Sequence, residues 1–283
     1  MTTDEKLAAI LAAVQTDPGN RGLARDPHDN LFTATAGQFE AACRSIAEHP
    51  DPGVLIYTGF WIPNATPPAF ETDGPLGAAF VSSGFLDLGI RCDLIGGFII
   101  EGLLREWFQY DNWSPTHLLS IEFPGPTADG TLRTMRGIDI TDRHSDSYTM
   151  YEGDVTTGVV TIGIGDGGNE IGMGNINPAT IGANIVNGAT VHCRVTTDHL
   201  IVAGVSNWGA YALVAGVAVL RGKPEQVARH FDSQRELKHL EKLVETGELV
   251  DGVVGKVQAT VDGLPWDVYA APLVRIREIL ELP

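Results

Sequence analysis

The chain has 283 residues, of which 43% are hydrophobic and 19% charged, and its formal net charge is −17. This length can bury a large hydrophobic core without disulfides or a structural metal. The acidic balance predicts no basic stripe for nucleic acid or anionic lipid, so neither is expected as a partner. The three widely spaced cysteines form no disulfide framework, which favours a reducing compartment.

The N-terminus and the hydropathy of the chain predict its location. Asp4 and Glu5 stand where a secretory signal would carry positive charge. No uncharged run approaches the ~20 apolar residues that a membrane span needs. We therefore expect a cytoplasmic protein with no membrane partner.

Helices and strands are predicted to alternate along the first half of the chain. Thr2 and Glu5 fit a capping box that opens a helix reaching Val14, and a second helix is expected over about 38–49. Further predicted elements are strands at 54–58, 92–95 and 118–122, and helices at 75–88 and 98–108. The proline-rich segment 59–74 has no periodicity, which is typical of a functional loop or lid.

The second half continues the alternation. Its predicted elements are strands at 159–162 and 200–203, a helix from 206 to about 219, and tail helices near 224–230, 234–245 and 266–280. Such βαβ units indicate an α/β fold in which helices flank a mostly parallel, possibly mixed, sheet in three layers. We interpret residues 1–283 as a single domain, with N-terminal helices (1–50) and C-terminal helices (223–283) packing on the core.

Polar residues gather where the predicted strands end. In open parallel sheets, ligands lie beyond the carboxyl ends of the strands. The polar residues found at these ends are Glu71, Asp73, Glu122, Asp166, Glu170 and Asn207. We therefore expect the active site at this edge of the sheet, with these side chains around one pocket.

The glycine-rich segment 165–175, GDGGNEIGMGN, follows the clearest predicted buried strand. It overlaps a formal dinucleotide fingerprint, Gly-x-Gly-x-x-Gly at 163–168. Asp166 and Glu170 would repel a pyrophosphate, so we expect no NAD. The alternative is a tight connection whose acids are solvated.

Carboxylates at one edge of a sheet repel each other unless a cation compensates. Mn²⁺ and Mg²⁺ take oxygen ligands, and without a His or Cys cluster zinc is less favoured. Simpler structural roles remain open. Asp73 would stabilise a helix N-terminus as a cap or through the helix dipole, and Ser206 or Asn207 would cap a helix. Glu122 would face solvent at the end of its strand.

Three blocks carry a family resemblance: GDGGNEIGMG at 165–174, ETDGPLGA at 71–78 and SNWGAYAL at 206–213. Together they resemble the C-terminal domain family of D-glutamate cyclase, which includes archaeal manganese-dependent phosphatases. The resemblance spans about 71–213. It implies a metal-dependent lyase, using Mn²⁺ or Mg²⁺, in which the α-amine of D-glutamate attacks its own γ-carboxyl and releases water, giving 5-oxo-D-proline.

The resemblance also suggests roles for individual residues. The expected metal ligands, direct or through water, are Asp73, Glu122, Asp166 and Glu170. The expected catalytic residues are Glu71 as general base, Arg136 as partner of the substrate α-carboxylate and Asn207 as an orienting amide. The expected substrate-binding residues are Gly167 and Gly168, through backbone N–H groups, together with Asn169 and Ser206.

Two other functions are compatible with these residues. A manganese-dependent phosphohydrolase acting on a small phosphate ester would use the same carboxylates and metal. A non-catalytic protein that binds a small metabolite would not need this many acids. A single positive residue near the expected site favours a small carboxylate ligand over a polyphosphate. A homo-oligomer is compatible with the sequence.

Overall fold

The structure is a computed structural model that describes residues 1–108, 113–144, 146–152 and 158–281. Its strands are β1 (Gly53–Thr58), β2 (Trp61–Ile62), β3 (Ala69–Glu71), β4 (Arg91–Ile95), β5 (His117–Ile121), β6 (Val160–Gly165), β7 (His199–Val202) and β8 (Leu249–Val250). Its helices are α1 (Thr3–Val14), α2 (Leu31–Ala34), α3 (Gln38–Ala47), α4 (Pro75–Asp87), α5 (Gly97–Leu104), α6 (Pro178–Asn184), α7 (Gly188–Val191), α8 (Ser206–Leu220), α9 (Pro224–Val227), α10 (Ser233–Val244) and α11 (Trp266–Ile279).

The main sheet has five strands in the order β4-β1-β5-β6-β7, and every neighbouring pair is parallel. Renumbered in chain order, these strands run 2-1-3-4-5, a doubly wound arrangement with a switch point between β1 and β5. Ligands of such sheets bind in the crevice at that point. The predicted α/β fold with a parallel sheet is confirmed.

Both faces of the main sheet are covered, which makes three layers. In β1, Val54 and Ile56 join the larger hydrophobic cluster, which includes α1, α3, α4, α8 and α11. Tyr57, whose side chain alternates to the other face, joins a second cluster that contains Ile171 and Ile181. Strands covered on both faces read as continuous apolar runs, as these do.

Helix α8 is the centre of the larger layer. It is apolar around its whole circumference, as is typical of a buried helix, and it packs against α1, α3, α4 and α11. The capping box formed by Thr2 and Glu5 at the start of α1 is confirmed. The N-terminal and C-terminal helices therefore contact the core, although the interpretation as a single domain stays a prediction.

The segment 59–74, predicted as a loop without periodic structure, contains two short strands. It contains β2 and β3, which pair antiparallel, and β3 also pairs in parallel with β8 to complete a three-stranded sheet. The prediction was wrong because two- and three-residue strands leave no period to detect. Their partner β8 also lies far downstream, so no local pattern links the segments.

No helix in the described parts of the chain is long and apolar enough to cross a membrane.

The contact between α4 and α8 generates a stability prediction. A Cβ at Gly84 of α4 would lie 2.5 Å from Val214 Cγ1. Gly84→Ala should therefore lower the free energy of unfolding by about 1–3 kcal/mol through overpacking. The control is Gly102→Ala in α5, where the described structure places nothing within 4 Å of the added carbon. It should raise stability by about 0.5–1 kcal/mol, as replacing a helical glycine normally does. Urea denaturation measures both, and equal effects would contradict the packing described.

Candidate active site

The predicted carboxylates lie at the carboxyl edge of the main sheet, around its switch point. Glu122 directly follows β5, and Asp166 directly follows β6. Glu122 has a φ of 43°, a left-handed conformation that is uncommon outside glycine and often found at functional sites. Both side chains are almost fully buried. The sheet therefore brings together residues that are distant in sequence, as the parallel topology predicted.

The Glu170 carboxylate holds the glycine-rich loop in shape. The Asp166 N–H donates to Glu170 Oε1 at 2.9 Å, and the Gly168 N–H donates to Glu170 Oε2 at 2.7 Å. Gly168 has a φ of 115°, which a residue with a side chain rarely adopts. The Gly168 N–H, expected to bind substrate, thus donates to a carboxylate of its own loop. A Cβ on Gly167 would lie 2.9 Å from Met135 Sδ, so this loop is closely covered.

Asp73 and Asn207 cap each other's helices. Asp73 Oδ2 accepts from the Ser206 N–H at 2.9 Å and Asp73 Oδ1 accepts from the Asn207 N–H at 2.8 Å, both in the first turn of α8. In return, Asn207 Oδ1 accepts from the N–H groups of Gly74 and Gly77, at 2.9 and 2.7 Å, where α4 begins. Asn207 Nδ2 lies 3.4 Å from the Thr72 carbonyl. These bonds give Asn207 a structural role, and its proposed orienting role stays a prediction.

Ser206 connects two of the predicted metal ligands. Its hydroxyl donates to Glu122 Oε2 at 2.5 Å, while its N–H donates to Asp73. Glu122 is thereby oriented toward the start of α8. Ser206 is completely buried, so its contact with substrate stays a prediction.

Within the described part of the chain, two groups of three carboxylates have the spacing of a cation site. In each group, one oxygen from every residue lies within 4.8 Å of the others; the groups are Asp73, Asp166 and Asp262, and Glu122, Asp166 and Glu170. Asp166 belongs to both. Its Oδ2 atom is buried and has no hydrogen-bond partner among the described residues, which leaves an acceptor available. Such an all-oxygen donor set fits Mn²⁺ or Mg²⁺.

Sequence reasoning missed Arg21, the cation of this cluster. Its guanidinium forms ion pairs with Asp166 and Asp262. Burial disfavours its charge, but the carboxylates of Asp166, Asp262, Glu122 and Asp73 together more than compensate and hold the pKa of Arg21 well above its usual range. The turn sequence DPGNRG at 17–22 was the available signal. Nothing in it indicates that the loop reaches the end of β6.

Asp262 was also missed, and the loop that presents it is organised by Asp251. Asp251 Oδ1 accepts from the N–H groups of Val253 and Val254, and its Oδ2 accepts from the Gly263 N–H at 2.7 Å. The two Asp-Gly pairs, at 251–252 and 262–263, are turn signals. Their proximity to the site depends on the pairing of β3 with β8.

Burial and mutual repulsion raise the pKa values of Glu71, Asp73, Glu122, Asp166 and Asp262. Burial raises the pKa of Glu71 well above its usual range, with further contributions from Asp262 and Asp73. Glu122 and Asp166 shift in the same direction, chiefly through burial. Burial and Asp262 raise the pKa of Asp73 to about 7, although N–H groups from α8 oppose the shift. The site without a metal ion therefore favours partial protonation.

A cavity of about 290 Å³ opens beside the cluster. Its polar lining includes Arg21, Glu71, Glu122, Arg136, Asn169 and Asp262. Gly252 leaves the room that Glu71 occupies, because a Cβ there would lie 1.8 Å from Glu71 Oε2. Asn169 donates from Nδ2 to the Arg133 carbonyl at 2.8 Å. The residues predicted as base, α-carboxylate partner and substrate ligand thus share one cavity wall, while their roles stay predictions.

Comparison with known proteins identifies the family. A family model described as "D-glutamate cyclase-like, C-terminal" matches residues 10–112 and 103–277. The chain belongs to this family. The matched ranges include Arg21 and Asp262 as well as all the predicted site residues. The family resemblance seen in the sequence is confirmed.

Two individual proteins can be compared with the chain. The mitochondrial D-glutamate cyclase of Homo sapiens is 27% identical over 331 aligned positions, covering 97% of this chain and 52% of the human protein. The chain thus spans about half the length of that curated relative. The sugar isomerase domain of an RpiR transcription factor from Sphaerobacter thermophilus is 17% identical, with coverage of 85% and 93%. Its TM-score of 0.31 is too low to relate the two folds.

The raised pKa values predict an unusual dependence of stability on pH. Between its usual value near 4 and about 7, folded Asp73 keeps a proton that the unfolded chain releases. The free energy of unfolding of chelator-treated protein should therefore fall as the pH rises from 5 to 8, by up to about 1.4 kcal/mol per pH unit for each such group. Urea denaturation at fixed ionic strength measures it. Saturating Mn²⁺ should flatten the profile, whereas stability that rises over this window would contradict the electrostatics described.

The shared position of Asp166 predicts that it dominates cation affinity. Asp166→Asn removes a charge common to both carboxylate groups, so Mn²⁺ affinity should fall at least tenfold while the far-ultraviolet circular dichroism stays unchanged. Titration calorimetry measures the affinity, with Asp139→Asn on the exposed surface as control. Unchanged Mn²⁺ affinity, or tight binding of NAD by the wild type, would overturn the assignment of this loop.

Proposed function

We propose that this chain catalyses the metal-dependent cyclisation of D-glutamate to 5-oxo-D-proline, with loss of water. The observation that carries the proposal is Asp166, buried and shared by two carboxylate groups beside a cavity of small-molecule size. Membership of the D-glutamate cyclase-like family supports the reaction class. The name of the human relative suggests D-glutamate as substrate.

The reaction requires two proton transfers and one activated carbonyl. The α-nitrogen forms a bond to the γ-carbon, and one γ-oxygen leaves. The α-ammonium group loses two protons, and both depart with that oxygen as water. A carboxylate is a poor electrophile, so the site must stabilise negative charge on the γ-oxygens and supply a group that moves protons.

Glu71 is the residue best suited to move the protons. It lies on the cavity wall, and the absence of a side chain at Gly252 leaves room for its carboxyl group. Burial raises the pKa of Glu71, so the difference between its pKa and that of the substrate's ammonium group becomes smaller. A carboxylate with a raised pKa is a stronger base, and once protonated it can donate to the leaving oxygen.

The remaining residues hold the substrate and the cation. Asp73, Asp166 and Asp262, or Glu122, Asp166 and Glu170, would hold a divalent cation, which when bound supplies Lewis-acid polarisation of the γ-carboxylate. Arg136 lines the cavity and is the proposed partner of the α-carboxylate. Asn169 lines the same wall, where it can accept or donate a hydrogen bond.

The proposal is tested by assaying purified protein with D-glutamate and L-glutamate in the presence of Mn²⁺, beside a panel of phosphate esters. Formation of 5-oxoproline from D-glutamate, followed by mass spectrometry, is expected. Exhaustive chelation should abolish turnover, and Mn²⁺ or Mg²⁺ should restore it. Full activity in metal-free protein would contradict the metal role. Hydrolysis of a phosphate ester without cyclisation would favour the phosphohydrolase.

Glu71→Gln tests the assignment of the base within the same assay. The amide keeps the shape of the side chain but cannot take up a proton, so kcat should fall by about 10²–10⁴ with a much smaller change in KM. Glu48→Gln, at an exposed position outside the cluster, is the matched control and should retain full activity. A Glu71→Gln variant with normal kcat would move the base to another carboxylate.

A further inference from the structure

The guanidinium group of Arg21 lies between two carboxylates of the cluster, Asp166 and Asp262. One terminal nitrogen contacts Asp166 Oδ1 and the other contacts Asp262 Oδ2. These residues are two of the three carboxylates in one candidate metal group, and Asp166 also belongs to the second. A guanidinium group and a divalent cation would thus compete for the same carboxylates.

Hydrogen bonds and close packing fix the backbone of the loop that carries Arg21. Asp17 accepts hydrogen bonds from the N–H groups of Arg21 and Gly22, each at 2.8 Å, and from the Leu23 N–H at 3.1 Å. Gly22 has a φ of 99°, and a Cβ there would lie 2.3 Å from the Asn184 carbonyl oxygen. The backbone is therefore fixed on both sides, so the position of Arg21 depends little on its own ion pairs.

The side chain of Arg21 contacts the carboxylates and also lines the cavity. It lines the cavity beside the carboxylates, and it is 19% exposed, whereas Asp166 is 1% exposed. An arginine side chain is long, always charged, and matches a carboxylate with paired N–H donors. Released from Asp166, the guanidinium would remain at the cavity wall, where an anionic group of a ligand would lie.

We propose that Arg21 is an exchangeable counter-ion, which neutralises Asp166 and Asp262 before a divalent cation binds and is displaced when one does. The displaced guanidinium then binds a carboxylate of the substrate, a second step that rests on the proposed function. Cation loading and recognition of an anionic substrate are thereby coupled through one side chain. Each makes the other more favourable, because displacement by the cation prepares Arg21 for the anion.

The first test uses Mn²⁺ alone and measures affinity by calorimetry and electron paramagnetic resonance. Arg21→Gln removes the competing charge, so Mn²⁺ should bind about tenfold tighter or more. Arg25→Gln, on the same loop but outside the cluster, is the control and should bind like the wild type. If Arg21→Gln binds Mn²⁺ no more tightly than the wild type, the exchange is wrong, and Arg21 is a fixed part of the site. Should Arg21→Gln fail to fold without metal, chelator competition on the Mn²⁺-loaded variant measures the same affinity, with the same expected tenfold gain, and no gain would again overturn the exchange.

The second test measures binding of D-glutamate to Mn²⁺-loaded protein. Arg21→Gln should weaken this binding at least tenfold, and Arg25→Gln should not. Tighter Mn²⁺ binding together with unchanged D-glutamate binding would overturn the second step only. If Mn²⁺ displaces Arg21 but the wild type neither binds nor converts D-glutamate, the exchange stands and the proposed function fails. If the wild type converts D-glutamate while Mn²⁺ affinity is the same in the Arg21→Gln variant, the proposed function stands and the exchange is wrong.

Discussion

Electrostatic repulsion among buried carboxylates is the constraint around which this protein is arranged. At an effective dielectric constant near 20, two full charges separated by 4.8 Å repel by about 3 kcal/mol. Several such pairs would consume much of the stability of a typical domain. The structure offsets the charge with Arg21, which pairs with Asp166 and Asp262, and with N–H groups at the start of α8 and in the glycine-rich loop. Protons on Glu71 and Glu122, whose pKa values are raised, offset the rest. A folded protein that keeps this arrangement has a carboxylate cluster with the spacing of a cation site, at little additional cost in stability.

The reciprocal caps of Asp73 and Asn207 make the fold and the site inseparable. Asp73, which lies just before α4, accepts a hydrogen bond from the first turn of α8. Asn207, in that first turn, accepts one from the start of α4. The two helices are thereby fixed relative to each other where the candidate cation ligands meet. Gly77 is part of the same arrangement, since a Cβ there would lie 2.7 Å from Asn207 Oδ1. A substitution at any of these positions will therefore change both stability and site geometry.

The sequence predicted the parts of the structure that are encoded locally. Apolar periodicity located the strands and helices of the main sheet, and the rule for parallel sheets placed Asp73, Glu122, Asp166 and Glu170 together. The sequence could not predict that Asp73 caps α8 rather than its own helix, because its partner is more than 130 residues away. Arg21 was missed for the same reason, because a turn sequence does not indicate which distant residues its arginine side chain will contact.

The remaining misses follow from the small second sheet. Three residues of β3 and two of β8 are too few to show a pattern, yet their pairing brings Asp262 to the site. The roles of Glu71, Asn207 and Arg136 stay predictions, because position in a cavity does not specify chemistry. Glu71 and Arg136 line the same cavity. Asn207 accepts hydrogen bonds at the start of α4 instead, so kinetics must decide which of the three takes part in the reaction.

The way β3 pairs with β8 has a consequence for biosynthesis. The ribosome releases Asp73, Glu122 and Asp166 long before Asp262, so a growing chain carries clustered acids whose last member is still untranslated. Because β3 finds its partner only after Val250 emerges, the second sheet closes late. The carboxylate group that includes Asp262 is therefore completed only after the second sheet has closed, whereas every member of the other group, Glu122, Asp166 and Glu170, lies upstream of β8.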